Sequence, residues 1–155
     1  MKQQQNYTFV NWAKNVQSNV SNYFQPETES EIIEIVQKYN KIRLVGTGHS
    51  WSGVCATNDA LINLDLYNKI LKVDKERKLV TVQAGIKLWQ LNELLDKEGL
   101  ALINLGSIDQ QSIAGAISTG THGSGIQFQI LGSQMYEFSL IKADGSKLII
   151  NKEKD

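Results

Sequence analysis

The 155-residue chain is short of cysteine, proline and net charge. A single cysteine, Cys55, excludes an intrachain disulfide. With only two histidines, His49 and His122, for company, it cannot assemble a structural zinc site either. Its plain reading is a small buried thiol. Sixteen basic residues balance sixteen acidic ones. Without a surplus of positive charge there is no field to gather backbone phosphates, so nucleic acid and acidic membranes are not expected partners. No run approaches the roughly 18 apolar residues a membrane span needs, and no apolar core of signal length follows Met1-Lys2-Gln3-Gln4-Gln5-Asn6. A chain in the cytoplasm without targeting or transmembrane segments is the expectation, with peripheral membrane attachment left open. The length suits one domain, 1–155.

Charge is missing from two stretches, and glycine crowds the same places. Leu44 to Asn58 contains no Asp, Glu, Lys or Arg, but holds Gly46, Gly48 and Gly53 among serines and threonines. Between Asn104 and Gln134 the sole charge is Asp109, while Gly106, Gly115, Gly120, Gly123, Gly125 and Gly132 punctuate the run. Each stretch carries one histidine. Glycine tolerates positive φ and has no Cβ, so such loops can turn successive N–H groups toward one anion. Lacking lysine and arginine, they would hold it with neutral amide and hydroxyl donors, as a dinucleotide pyrophosphate is commonly held. Two such loops far apart in sequence suggest a long ligand; plain surface turns are the alternative.

The intervening segments read as α+β. Thr28-Glu29-Ser30-Glu31 is a capping-box pattern ahead of a helix with Ile32, Ile33, Ile35, Val36 and Tyr39 on one face. Leu44-Val45 and Leu61 to Leu64 are strand candidates. Ile70 to Val73 and Leu79 to Ala84 form a predicted hairpin, and Leu88, Leu91, Leu94 and Leu95 stripe a second helix that Gly99 stops. Asp144-Gly145 marks a closing hairpin between Phe138–Lys142 and Lys147–Ile150.

Familiar phosphate and hydrolase motifs fail on the letters. Gly48 and Gly53 have P-loop spacing, but Val54 stands where the lysine must be. Gly46-Thr47-Gly48-His49-Ser50-Trp51 lacks the third glycine of a Rossmann fingerprint. Gly48-His49-Ser50-Trp51-Ser52 is one residue from a nucleophile elbow, with Asp109 and His122 following in triad order, but the chain is too short for the framework an elbow needs.

Val45-Gly46-Thr47-Gly48-His49-Ser50-Trp51-Ser52 resembles the first flavin loop of the vanillyl-alcohol-oxidase type of FAD enzymes, and more closely the sugar-1,4-lactone oxidases, with alditol oxidases as near relatives. The likeness extends through Phe9-Val10-Asn11-Trp12-Ala13, Gln25-Pro26 and Val80-Thr81-Val82-Gln83-Ala84-Gly85. It is strongest in Asn104-Leu105-Gly106-Ser107-Ile108 and Ser112-Ile113-Ala114-Gly115-Ala116-Ile117-Ser118-Thr119-Gly120-Thr121-His122-Gly123. The resemblance implies an α+β FAD-binding domain of two small subdomains with FAD between them. It further implies that Leu44, Val45, Gly46, Thr47, Gly48, His49 and Ser50 wrap the pyrophosphate. Ser107, Ser112, Gly115, Ala116, Ile117, Ser118 and His122 would line the other side, with Ile141 at the adenine end. By the same carry-over His49 is the site of covalent attachment to the flavin 8α carbon, a role suited to a neutral imidazole nitrogen. A histidine that only hydrogen-bonds within its loop is the alternative, since related plant lactone dehydrogenases lack this histidine and bind FAD without it. Those dehydrogenases carry alanine at the place of Gly106, near the reactive flavin edge, so the missing methyl would admit dioxygen.

In that family a second, C-terminal domain covers the isoalloxazine and supplies the residues that activate the sugar lactone or alditol. Nothing up to Asp155 matches it, so no catalytic residue is named. The expected activity is oxidation of a sugar 1,4-lactone, such as arabinono- or gulono-1,4-lactone, with oxygen as acceptor and hydrogen peroxide as product. An alditol oxidase, or a flavin-binding module inactive on its own, are the alternatives.

Overall fold

The computed structural model describes residues 1–153. The chain opens on a hairpin that the sequence did not announce: β1 (Lys2–Val10) runs antiparallel to β2 (Gln17–Gln25). Two further short strands, β3 (Ile42–Val45) and β4 (Ala60–Asn63), complete a four-stranded sheet in the order β1-β2-β4-β3. β4 lies parallel to both its neighbours, β2 and β3. Every residue of β4 is buried. A central parallel strand covered on both faces reads as an unbroken apolar run, which is why Ala60-Leu61-Ile62 shows no alternation.

The two faces of β4 supply two cores. Leu61 points to Phe9, Val20, Val45 and Cys55, while Ala60 and Ile62 pack with Phe24 against Ile35 of helix α1 (Glu29–Lys38). The capping box at the start of α1 forms as the sequence predicts. Thr28 Oγ1 accepts from the Glu31 N–H at 3.3 Å, and Glu31 Oε2 accepts from the Thr28 N–H at 3.3 Å.

The second half is built on hairpins and helices. β5 (Ile70–Asp74) pairs with β6 (Leu79–Val82), with a register shift between Ile70 and Lys72. Ile86, Leu91 and Leu95 fill its core and seat helix α2 (Leu88–Lys97) on it. Gly99, at φ +71°, stops α2 as its C-terminal glycine, and the Leu100 N–H turns back to Leu95 O at 2.7 Å. A third helix, α3 (Ile113–Ser118), lies inside the glycine-rich stretch, where no helix was expected. Ser112 caps it, accepting from the Gly115 N–H at 3.4 Å. Leu88, Ala116 and Leu131 pack α3 to the start of α2.

The last hairpin, β7 (Glu137–Ile141) and β8 (Lys147–Asn151), turns at Gly145 with φ +81°. That turn reaches back to the first half: Gln37 of α1 donates to Asp144 O at 3.1 Å across 107 residues of sequence. Beside it Lys147 pairs with Glu29 at 2.8 Å. Among the described residues no helix is long and apolar enough to cross a membrane.

Candidate functional site

The two charge-free stretches meet. Residues 44–50 leave the end of β3 as an extended loop, and Ser112 with α3 comes up against it from the second half. A Cβ placed on Gly46 would overlap Ser112 Oγ, so a larger residue here needs that hydroxyl to move. Between them runs a narrow cavity of about 100 Å³, lined by Leu44, Val45, Gly46, Thr47, Gly48, His49 and Ser50 on one side and by Gln111, Ser112, Gly115 and Thr119 on the other. Val54 and Cys55 also line it.

A wider cavity of about 530 Å³ opens alongside, lined by Trp12, Trp51, Gly106, Ser107, Ile108, Gly120, Thr121 and His122. His49, Gln111 and Thr119 line both cavities, which makes them one groove that widens past His49. None of the lining residues is Asp, Glu, Lys or Arg. The groove is long, narrow at one end, rich in amide and hydroxyl donors and closed to a Cβ at Gly46. Those features fit a dinucleotide held by neutral donors.

His49 is held from several directions. Its Nδ1 lies 2.9 Å from Thr47 Oγ1. Burial, and behind it the Lys87 ammonium, push the imidazole below the usual histidine range, so the ring is neutral at pH 7. Lys87 is anchored by an ion pair with Asp65, whose own N–H donates to Asn63 Oδ1 at 2.7 Å. Asn63 Nδ2 in turn donates to Gly46 O at 3.3 Å. The ion pair thus joins the loop after β4 to the start of α2, and through Asn63 is linked to Gly46 of the glycine loop.

The connection between β1 and β2 grips the same loop from above. Asn11, only 2% exposed, donates through Nδ2 to Ser50 O at 2.9 Å. Asn15 donates to Trp51 O at 2.9 Å, and the Trp12 N–H donates to Gly48 O at 2.9 Å. The Trp12 indole stacks on the His49 ring with centroids 5.4 Å apart and planes 20° from parallel.

Of the residues singled out from the sequence, 44–50, Ser107, Ser112, Gly115 and His122 line the groove. Four do not. Ala116 is wholly buried between Leu88 and Leu131, facing the core of the second half. Ile117 packs against that same cluster, Ser118 ends α3, and Ile141 lies on β7, away from either cavity. Gln111, Cys55, Thr119, Trp12 and Trp51 are lining residues that the sequence reading did not assign to the site, although the last three stand inside the motif blocks it quoted. Gln111 and Thr119 stood inside the charge-free stretch, which was the available signal. The hydrolase alternative gains no support from the geometry: Ser50 Oγ meets Ser52 Oγ at 3.1 Å, while His49 Nδ1 lies against Thr47 Oγ1 and His122 Nδ1 against Gly123 O.

The fold and this groove define a flavin-binding class of protein. The profile of the family described as FAD binding domain matches residues 20–151, and the chain belongs to that family. FAD is therefore its cofactor. Among curated proteins it is 42% identical over 144 residues to the L-gulonolactone oxidase of Mus musculus, which covers 90% of this chain. It is 39% identical over 158 residues to the D-arabinono-1,4-lactone oxidase of Saccharomyces cerevisiae, covering 97% of this chain. The chain spans only 33% of the mouse protein and 30% of the yeast one.

Solved structures share the fold. Cholesterol oxidase from B. sterolicum superposes with a TM-score of 0.83 at 19% identity over 97% of this chain and 33% of its own. The 6-hydroxy-D-nicotine oxidase of Arthrobacter nicotinovorans gives 0.79 at 17% identity over 88% of this chain and 31% of its own. The expected α+β, vanillyl-alcohol-oxidase-type architecture is the one observed.

Proposed function

We propose that the chain is the FAD-binding part of an oxidase acting on a sugar 1,4-lactone, with the flavin tethered to His49. FAD, when bound, supplies a two-electron acceptor: it takes hydride from a substrate C–H and gives the pair to dioxygen, so that substrate loses two hydrogens and oxygen becomes hydrogen peroxide. The chain's own residues bind and orient. The neutral loop 44–50 with Ser112 and Gly115 takes the pyrophosphate, and the wider part beside Gly106, Ser107 and His122 takes the isoalloxazine. His49 stands where the two parts meet.

The observation that carries this reading is the position of a neutral imidazole at the junction of the groove's narrow and wide parts. Similarity to two named lactone oxidases at about 40% identity supports the substrate class. A second reading has its own support. The groove is lined by no carboxylate, lysine or arginine, so these residues by themselves bind a flavin without offering a carboxylate base or a cationic clamp for a sugar. As such a module the chain would load flavin and show no bleaching with lactones or alditols.

The test is acid denaturation of the expressed protein followed by in-gel fluorescence and intact mass, with His49→Ala as control. Flavin that stays with the wild-type polypeptide and leaves with the variant supports the tether. Flavin released by acid from both removes the tether and keeps the FAD site. Bleaching of the bound flavin by arabinono- or gulono-1,4-lactone, with peroxide formed in air, separates the oxidase from the module.

A further inference from the structure

We propose that Trp12 is a positioning residue for the His49–flavin bond; this rests on the tethered reading above. The loop that carries Trp12 closes the β1–β2 hairpin, with the Asn11 N–H donating to Val16 O at 3.0 Å, and turns further polar groups on the flavin loop. The buried Asn11 amide spans the turn, reaching Asn15 Oδ1 at 2.7 Å as well as Ser50 O, while its own Oδ1 accepts from the Val16 N–H at 3.0 Å. Trp12 N–H to Gly48 O fixes the backbone immediately before His49. A Cβ on Gly48, which sits at φ +71°, would rest against Asn11 and Phe9, so the two backbones lie in van der Waals contact.

From this braced backbone the indole extends over the imidazole. Trp12 is 63% exposed, too open for a core role, yet one face is committed to the His49 ring at 5.4 Å and 20°. On the imidazole's edge, Thr47 Oγ1 holds Nδ1 at 2.9 Å. A histidine side chain has two torsions. The hydroxyl contact selects where one ring nitrogen points, and the stack fixes the plane in which the ring lies. Together they leave the imidazole one orientation in a groove that is otherwise wide at this point.

Orientation matters because bond formation needs a ring nitrogen in line with one carbon. The step joins that nitrogen to the flavin 8α carbon. The imidazole gives up its N–H proton, the methyl carbon gives up one proton, and the electron pair left behind passes to dioxygen, which leaves as hydrogen peroxide. His122 is the second imidazole lining the wider part of the groove, and pre-orientation of the His49 ring is what Thr47 and Trp12 contribute.

The experiment follows covalent incorporation in the full-length protein, prepared as apoprotein and mixed with FAD in air, by acid-stable flavin fluorescence over time. Trp12→Leu keeps apolar bulk without a ring, and Trp12→Phe keeps a ring. A stacked pair of this kind is worth about a 3- to 10-fold rate effect. The expected result is incorporation slowed by that factor or more in Trp12→Leu and restored to within about twofold in Trp12→Phe. Total bound flavin before acid should be equal in all three, showing that the fold and the FAD site survive. Equal rates in Trp12→Leu and wild type overturn the positioning role and leave the tether standing. Equal slowing in Phe and Leu variants also overturns it, since a ring would then make no difference. Wild-type protein that binds FAD but never retains it through acid overturns the tether and this role together.

Discussion

Gly46 at the end of β3 and Ser112 at the cap of α3 occupy adjoining space so closely that neither can grow without displacing the other. They come from different halves of the molecule, and their contact is the floor of the groove. Gly46→Ala should therefore lower stability by about 1–3 kcal/mol through overpacking. It should also weaken FAD retention. Ser112→Ala alone loses a helix cap, costing about 0.5–2 kcal/mol. In the double variant the overlap with Oγ is relieved, so the costs should fall short of their sum by at least ~0.5 kcal/mol. Urea melts of the four proteins measure this directly, and additive costs would remove the steric account.

The pH dependence of flavin attachment follows from the depressed His49 pKa. The unfolded imidazole titrates at 6.5, and the folded one below it. Attachment needs the neutral ring, so its rate should be flat through neutral pH and fall only on the acid side of the ordinary histidine range. Folding follows the same sign. The unfolded state takes up the proton first, so stability due to His49 is complete above 6.5 and is lost as pH falls through the window down to the folded pKa. Lys87→Met removes the second of the two causes and leaves burial in place. The acid limb of the rate profile should then move up in pH, and an unmoved limb would show that Lys87 has no electrical role.

Gly106 offers a test of oxygen access. An added methyl would sit 3.0 Å from Thr121 Cγ2 and 3.6 Å from His122 O, a fit that needs only a small shift of a side-chain methyl. Gly106→Ala should fold normally. On the oxidase reading, flavin reoxidation by dioxygen should slow about tenfold, or ~1.4 kcal/mol of barrier. Anaerobic reduction by substrate, followed by stopped flow, should change little. Unchanged reoxidation would separate this glycine from the oxygen reaction.

Leu61 stands wholly buried at the centre of the sheet, against Phe9, Val20 and Cys55. Leu61→Ala should cost about 2–5 kcal/mol, with each kcal/mol lowering Tm by about 2–4 °C. A loss below ~1 kcal/mol in calorimetry would mean that the site collapses around the smaller side chain.

Cys55 should be silent toward thiol reagents. It is 6% exposed, and burial pushes its thiol up from 9.0, leaving almost no thiolate at neutral pH. Because it also lines the narrow cavity, reaction with a disulfide reagent should track global unfolding and slow further when FAD is bound. Fast labelling of the folded protein would contradict this placement.

What could be read from the letters depended on how local the cause was. Thr28 and Glu31 bond to each other's backbone three residues away, so the start of α1 was visible; Gly99 and Asp144-Gly145 worked in the same short-range way. β1 was not visible because its outer half, Lys2 to Asn6, is exposed on both faces, and only Phe9 is buried. Its strand character comes from pairing with β2, not from an alternation in sequence. α3 was hidden by the glycine in its middle, Gly115, which lowers intrinsic helix preference. The groove's two walls showed as missing charge, since a neutral site leaves a compositional trace. The Asn11-Trp12 block was visible as a motif, but its grip with Asn15 on the flavin loop was not, because single hydrogen bonds across 36 to 39 residues have no periodic signature.

The bond from Gln37 to Asp144 spans 107 residues, and it sets a schedule for the newborn chain. At a synthesis rate of about 5–20 residues per second, α1 leaves the ribosome about 5–20 s before its partner turn does. During that interval one side of the helix has no protein neighbour at the place where the last hairpin will sit. A holding factor that recognises nascent chains would have its longest opportunity there, and slow codons placed between these two segments would lengthen it.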